Sequence, residues 1–253
     1  MSELEFNYNI RASLRPKPES PALLGAKFLQ TLDALSRIDP AIFTNWQVMD
    51  FPAMAPFPVE DARTRITEII ETNVSRDDRD HPTPEWGYAA GAYTDGVAVS
   101  RVIVLRIEAG GKNRGEISLE SGGYKVFPDP AIVTYPVFKA TLLAINSIWL
   151  QAWSCAYAFK MDYDRKPLLP DEPLFPYSVF HLPWLAYLSA PLAAGLTVPP
   201  EIAIERTPDG GYLLIACDKR LDPIDKEHLR RSRVLVEILI ERTGYQRGGA
   251  TSV

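Results

Sequence analysis

Histidine and cysteine are scarce in this chain, with three of the first and two of the second among 253 residues. No two histidines stand at i, i+4 spacing and no Cys-x-x-Cys occurs, so a zinc site has little support. Cys155 and Cys217 lie in apolar, strand-like runs, the setting of two buried free thiols in a reducing compartment. A nucleophile with its base is missing as well: there is no Gly-x-Ser-x-Gly elbow and no cysteine in an electropositive turn. Gly87-x-x-x-Gly91 and Gly110-Gly111 lack the Lys-Ser/Thr and the strand, loop and helix setting of a phosphate cradle. Positive charge is not in excess. The 27 Lys and Arg are interspersed with 32 Asp and Glu, a net charge of −5, which argues against a general nucleic-acid binder. Long apolar runs are absent too, since the longest, around Ala140 to Ala158, is broken by Asn146, Gln151 and Ser154 and reads as core rather than membrane span. No charged-then-apolar leader opens the chain. The expected address is the cytoplasm.

Proline is what the chain has in plenty, with 22 residues placed between the periodic segments rather than inside them. This predicts many short elements joined by stiff connections, and 46% hydrophobic residues are ample to bury a core. The most fully specified unit is Pro199 to Arg242. Ile202, Ile204 and Arg206 alternate with Ala203 and Glu205, Pro208-Asp209-Gly210-Gly211 turns the chain, and Tyr212 to Cys217 returns as a nearly continuous apolar strand. Asp222 as N-cap and Pro223 as first residue then predict a helix. Its packed arc is His228, Leu229, Ser232, Leu235, Val236, Leu239 and Ile240, and Gly244 is its stop.

Upstream, the patterns predict a strand over Leu4 to Leu14 and a helix opened by Ser20-Pro21 with Leu24, Phe28, Leu32 and Leu35 inward. A strand over Asn45 to Phe51 and a helix from Val59 to near Ser75 follow. Ser75 to Asp95 reads as one irregular loop. Val97 to Ile107 and Glu116 to Glu120 read as strands paired through Gly110-Gly111, the second with one polar face. A helix begun by Thr134 and Pro136, whose only charge before Trp149 is Lys139, is expected to be covered nearly all round. Ala152 to Tyr163 alternates small side chains with large ones, and Pro167 to Pro200 reads as an irregular aromatic wrap with one short strand near Trp184 to Leu188. Helices inserted singly, without a βαβ repeat, place the chain in the α+β class. The expectation is a single domain over 1–245, a mixed or largely antiparallel sheet with helices packed on it, and a flexible tail over 246–253.

The acidic pairs Asp77/Asp78, Asp162/Asp164 and Asp171/Glu172 stand out among titratable groups, near Trp86, Tyr88, Tyr163 and Tyr177. Such acids are solvated charge, a metal or acid-base pair, or the charged rim of an interface whose aromatic anchors meet a basic partner. His228 reads by its phase as a core or boundary histidine. His81 and His181 remain open as partners of a carboxylate pair in a small cytoplasmic hydrolase. A structural component of a secretion or phage particle is the third class. No catalytic, cofactor-binding or metal-ligating residue is assigned.

Several segments, in order along most of the chain, carry a resemblance. Phe28-Leu-Gln-Thr-Leu-Asp-Ala-Leu-Ser-Arg-Ile-Asp-Pro40, Asn45-Trp46, Tyr187-Leu-Ser-Ala-Pro-Leu192, Pro199-Pro-Glu201, Glu205-Arg-Thr-Pro-Asp-Gly-Gly211, and Asp222-Pro223 with His228-Leu-Arg-Arg231 resemble the immunity protein 52 family of bacterial polymorphic-toxin and type VI secretion systems. The resemblance implies a non-enzymatic cytoplasmic antitoxin of α+β fold without cofactor, metal, nucleic-acid or membrane partner. Its implied partner is a cognate secreted nuclease toxin with a restriction-endonuclease-like domain, blocked at its active site or DNA-binding surface. Trp46, Leu188, Pro200 and Gly210, which carry the match, are expected to be structural. The toxin-facing surface is expected at Asp77, Asp78, Asp80, Glu85 and Trp86, with Asp162, Asp164, Asp171 and Glu172 as second choice. Acids there would occupy Lys and Arg groups of a nuclease cleft.

Overall fold

In the computed structural model, which describes residues 6–51, 55–113, 115–122, 126–149, 151–159 and 182–244, the first strand lies near the middle of a sheet of ten. The strands are β1 (Asn7–Leu14), β2 (Trp46–Asp50), β3 (Ala55–Pro58), β4 (Tyr88–Thr94), β5 (Ile103–Ala109), β6 (Gly115–Ser121), β7 (Gln151–Phe159), β8 (Leu182–Leu188), β9 (Ala203–Arg206) and β10 (Tyr212–Ile215). Their order is β3-β2-β4-β5-β6-β1-β7-β8-β10-β9, and each neighbouring pair is antiparallel. The helices are α1 (Pro21–Ile38), α2 (Val59–Arg63), α3 (Ile66–Thr72), α4 (Tyr135–Ile148), α5 (Ala190–Ala193) and α6 (Lys226–Thr243). The α+β class is as expected, with an antiparallel sheet.

The sheet separates two cores. On one face α1, α3 and α4 set Phe28, Leu32, Ile70, Leu142 and Ile145 against Ile10, Ala12, Leu105, Ile117 and Ala156. On the other, Leu235, Ile238 and Leu239 of α6 pack on Trp153, Cys155, Ala186, Leu188 and Leu214. The small-against-large alternation of β7 therefore divides its side chains between the two cores. Burial of each large apolar side chain contributes about 1.5–3 kcal/mol. Strands under both layers read as continuous apolar runs, whereas β1, β5 and β6 alternate. Their polar face carries the ion pairs Arg11–Glu116 (2.5 Å) and Arg106–Glu120 (3.8 Å).

Several boundaries differ from expectation, each for a local reason. Residues 88–94 form β4 rather than part of a loop. Ala89, Ala90, Gly91 and Ala92 are poor strand formers, and pairing on both sides with β2 and β5 overrides that. The next strand starts at Ile103, not Val97, because Val99–Arg101 makes a 3-10 turn that leaves Val99 exposed. The helix expected from Val59 breaks at Thr64–Arg65, where Arg65 leaves helical geometry (φ −115°, ψ 6°). Pro56 and Pro58 sit in the edge strand β3, where a missing N–H is tolerated. The last helix is capped by Asp225, which accepts the N–H groups of Glu227 and His228 at 2.8 and 3.0 Å. Asp222 instead accepts from Ile224 in the preceding turn, and Ile240 is 42% exposed. Helix α4 is buried along Phe138, Thr141, Leu142 and Ile145 and not all round. The expected end of β7 at Met161–Tyr163, the aromatic wrap up to His181 and the tail 246–253 lie outside the described residues.

The segments that carry the resemblance are bonded to one another. Trp46 Nε1 donates to Ser36 Oγ (3.2 Å), Arg230 pairs with Glu201 (2.7 Å), and the Asp222 N–H donates to His228 Nδ1 (3.0 Å). That last bond satisfies His228 at the boundary, as its phase predicts. Asp209, in the β9–β10 turn, gathers Tyr187 Oη, Thr207 Oγ1, Asn146 Nδ2 and the Gly211 N–H. Trp46 and Leu188 are buried, and Gly210 takes the left-handed turn position at φ 83°. All three are structural.

Burial alone would raise the Asp209 carboxyl, but hydrogen bonds from Thr207, Tyr187, Asn146 and Gly211 outweigh it and hold the group below its ordinary value of 3.8. Its contribution to stability is therefore complete above that value and is lost as pH falls through the lower folded-state pKa. Asp209→Ala removes the shared acceptor of the Tyr187 and Thr207 hydroxyls and should cost about 1–3 kcal/mol in denaturant unfolding at neutral pH. Asp209→Asn should flatten the acid limb of the stability profile, and an unchanged limb would show that the network carries no stability.

Candidate functional site

Between α3 and β4 the chain makes a closed, hydrogen-bonded loop. Val74 pairs with Tyr88 and Arg76 with Pro82, while the Ser75 N–H donates to the Gly87 carbonyl (2.9 Å) and the Thr83 N–H to the Ser75 carbonyl (2.7 Å). At the tip Asp77 works inward. Its Oδ1 accepts the N–H groups of Arg79 (2.9 Å) and His81 (2.8 Å), and its Oδ2 lies 3.3 Å from His81 Nδ1. These bonds, the His81 N–H first, hold its carboxyl below the ordinary value. Asp80 takes φ 65°, a region that Asp tolerates better than most residues, and its carbonyl accepts from Arg76 at 2.8 Å. Asp78, Asp80, Glu85 and Trp86 are left facing solvent. The five expected residues thus share one loop, with Asp77 as its organiser rather than a free acid. Arg76 and Arg79 stand in the same loop, so four acids against two cations leave two net negative charges. Asp162, Asp164, Asp171 and Glu172, with Tyr163, Tyr177 and His181, lie outside the described residues.

The loop is docked on the β5–β6 turn. The Lys112 N–H donates to the Glu85 carbonyl at 2.8 Å. A Cβ on Gly111 would stand 2.4 Å from the Trp86 carbonyl, and one on Gly110 would stand 2.6 Å from Leu24 Cδ1 of α1. Gly111 is needed because backbone approaches it, and Gly110 because it takes the left-handed conformation at φ 83°.

Beyond Gly110 lies a cavity of about 170 Å³ whose lining includes Leu14, Arg15, Lys17, Glu19, Lys27 and Trp149. Glu19, 5% exposed, receives Lys27 Nζ on both oxygens (2.7 and 2.8 Å) and Lys17 Nζ at 2.8 Å. Burial would raise its carboxyl, but the hydrogen bonds and charges of the two lysines bring it below the ordinary value. Lys27 lies 5.1 Å over the Trp149 ring. Arg15 to Glu19 lie between β1 and α1, where no periodic pattern marks them, and Lys27 lies outside the α1 stripe of Leu24, Phe28, Leu32 and Leu35. The available signal is phase: Lys27 falls about 60° from Leu24 around the helix, at the edge of the buried stripe.

Other chemistry is sparse among the described residues. Asp77 and His81 do meet, but on an exposed tip that lines none of the cavities described. A cavity of about 590 Å³ at the opposite end of the sheet has Leu32, Phe43 and Trp46 among its floor residues and Asp33, Glu60, Arg63 and Asp95 in its wall. Arg63 already pairs there with Asp33 (2.5 Å) and Glu60 (3.1 Å). Burial pushes the Cys155 thiol up to about 12 and the Cys217 thiol up to about 11, far from the range of a reactive thiolate. No three His, Cys, Asp or Glu side chains gather as a metal site among the described residues.

No protein-family model and no curated protein sequence matches the chain. In three dimensions it is similar to the Pseudomonas aeruginosa type VI secretion system (T6SS) protein PA0821, with a TM-score of 0.55 and 13% identity, over 98% of this chain and 79% of that one. At that identity the likeness shows the fold. Among the described residues no helix is long and apolar enough to cross a membrane.

If the Gly111 contact seats the loop, Gly111→Ala should displace it at a cost of about 1–3 kcal/mol. Trypsin should then cleave faster after Arg76 and Arg79 in the native protein, and cleavage at the parent rate would show that the turn does not hold the loop.

Proposed function

We propose that this chain is an immunity protein, which binds a cognate secreted nuclease toxin in the cytoplasm and neutralises it by covering its active site or DNA-binding surface. The observation that carries this reading is the anchored loop: Asp78, Asp80, Glu85 and Trp86 face solvent from a backbone held by its own hydrogen bonds and by the β5–β6 turn. A surface ordered before binding loses little entropy on association. Acids around a half-exposed ring suit a basic cleft, where they steer encounter and set register while the ring supplies contact area. The fold shared with a T6SS protein and the ordered segments of the immunity resemblance support the same assignment. On this reading the chain acts by binding rather than catalysis. The hydrolase alternative would rest on the Asp77–His81 pair, which lies on an exposed tip outside the cavities described, and protection that survives His81→Ala would count against it.

Co-expression with the nuclease domain encoded beside this gene should restore cell survival and yield a stable complex. Reversal of Asp78, Asp80 and Glu85 to Lys should slow association about tenfold or more and flatten its salt dependence. Unchanged affinity with an unchanged salt slope would remove the loop from the interface. No survival and no complex, with both proteins folded, would overturn the immunity assignment.

A further inference from the structure

We infer that the cavity between β1, α1 and the Gly110–Gly111 turn is a carboxylate subsite, in which Arg15 and Lys17 take an Asp or Glu side chain of the protein partner. The inference rests on the preceding proposal for the identity of that partner, and on the cavity itself for the chemistry. Three cations, Arg15, Lys17 and Lys27, line it against one acid, Glu19, which leaves two positive charges in a chain whose net charge is −5.

The compensated part lies at the bottom. Both oxygens of Glu19 are taken up by Lys27, which is 17% exposed and held between Glu19 and the Trp149 ring. That ring is fixed in turn by the 2.9 Å hydrogen bond from Trp149 Nε1 to Thr31 Oγ1. The outer part carries the excess positive charge. Lys17 shares Glu19 with Lys27, at 2.8 Å from Oε1, and is 53% exposed. Arg15 is exposed, donates to Ser189 Oγ at 3.3 Å, and has no carboxylate at ion-pair distance among the described residues. A guanidinium fork with open donors matches a carboxylate through two parallel hydrogen bonds. A cavity of about 170 Å³ exceeds the ~30 Å³ share of one water several times, so a carboxylate and its methylene stem fit, with Leu14 and Trp149 as apolar wall.

The neighbourhood selects a protein acid over a polyphosphate backbone. Gly110 lines the cavity while Gly111 backs Trp86, so the exposed acids of the loop lie just across one turn from the basic mouth. A strand of phosphates crossing both would be repelled by Asp78, Asp80 and Glu85. A folded protein with a basic patch beside an acidic side chain fits both at once, and the paired signs fix its orientation.

The test compares the wild-type chain with R15Q/K17Q, which leaves the Glu19–Lys27 pair and the acidic loop intact. Sodium acetate titrated into the wild-type chain should move the Trp149 indole N–H resonance saturably, and the variant should show no such shift. No shift in the wild type, or the same shift in both, overturns the subsite whatever the partner. Binding of the neighbouring nuclease domain should weaken about tenfold or more in the variant, mainly through faster dissociation. Unchanged affinity in a variant that unfolds at the parent temperature overturns the inference and leaves the immunity assignment standing. Failure of the wild-type chain to form any complex overturns that assignment, and with it the protein source of the carboxylate.

Discussion

The sheet depends on the capture of β1 between β6 and β7. Ile10 faces Leu119 on one side and Ala156 on the other, partners more than a hundred residues away in sequence. Without this strand the sheet falls into two antiparallel blocks, β3-β2-β4-β5-β6 and β7-β8-β10-β9, each with an open edge where β1 now sits. The strand's backbone groups have partners along both edges, as buried backbone must, and the loop-closure cost of so distant a pairing grows only slowly with length. Side chains reinforce it: Tyr8 Oη donates to the Leu221 carbonyl at 2.7 Å, and Ser121 Oγ donates to the Tyr8 carbonyl at 2.5 Å.

That capture also builds the end of the molecule that holds the candidate loop. Leu14 ends β1 beside the starts of β6 and β7, so the residues after it, Arg15 to Glu19, cross toward the β5–β6 turn before Ser20 opens α1. The turn is thereby held between α1 and the acidic loop. A basic cavity and an acidic loop, distant in sequence, become neighbours through one strand pairing and two glycines. The opposite end of the sheet has a larger hollow, but Arg63 already ties Asp33 to Glu60 in its wall.

Elements with a strong local signal were legible in the chain itself. Ser20-Pro21 started α1, with the Ser20 hydroxyl accepting the Leu23 N–H at 3.3 Å, and Gly244 ended α6 at φ 64°. The β9–β10 hairpin needed only its turn. The illegible elements were those whose local preferences oppose the fold: a strand of Ala and Gly that forms because it lies between two others, prolines on an edge, and a helix that breaks at Thr64–Arg65. The candidate loop was legible as a group, since four of its five residues fall within nine positions, but the inward role of Asp77 was not. Whether a carboxylate faces solvent or caps its own turn depends on backbone angles that composition does not specify.

By itself, the sequence determined the α+β class, the buried stripe of α1, the caps at Ser20, Thr134 and Gly244, the buried thiols and the absence of the common catalytic and metal motifs, because each of these follows from residues close together in the chain. Only the tertiary structure decided the strand order, the pairing of the part-buried Glu19 with Lys27 and Lys17, and the placing of acids and bases on either side of one turn. Those are properties of long-range pairing, in which a side chain's surroundings come from residues that sequence spacing does not bring near it.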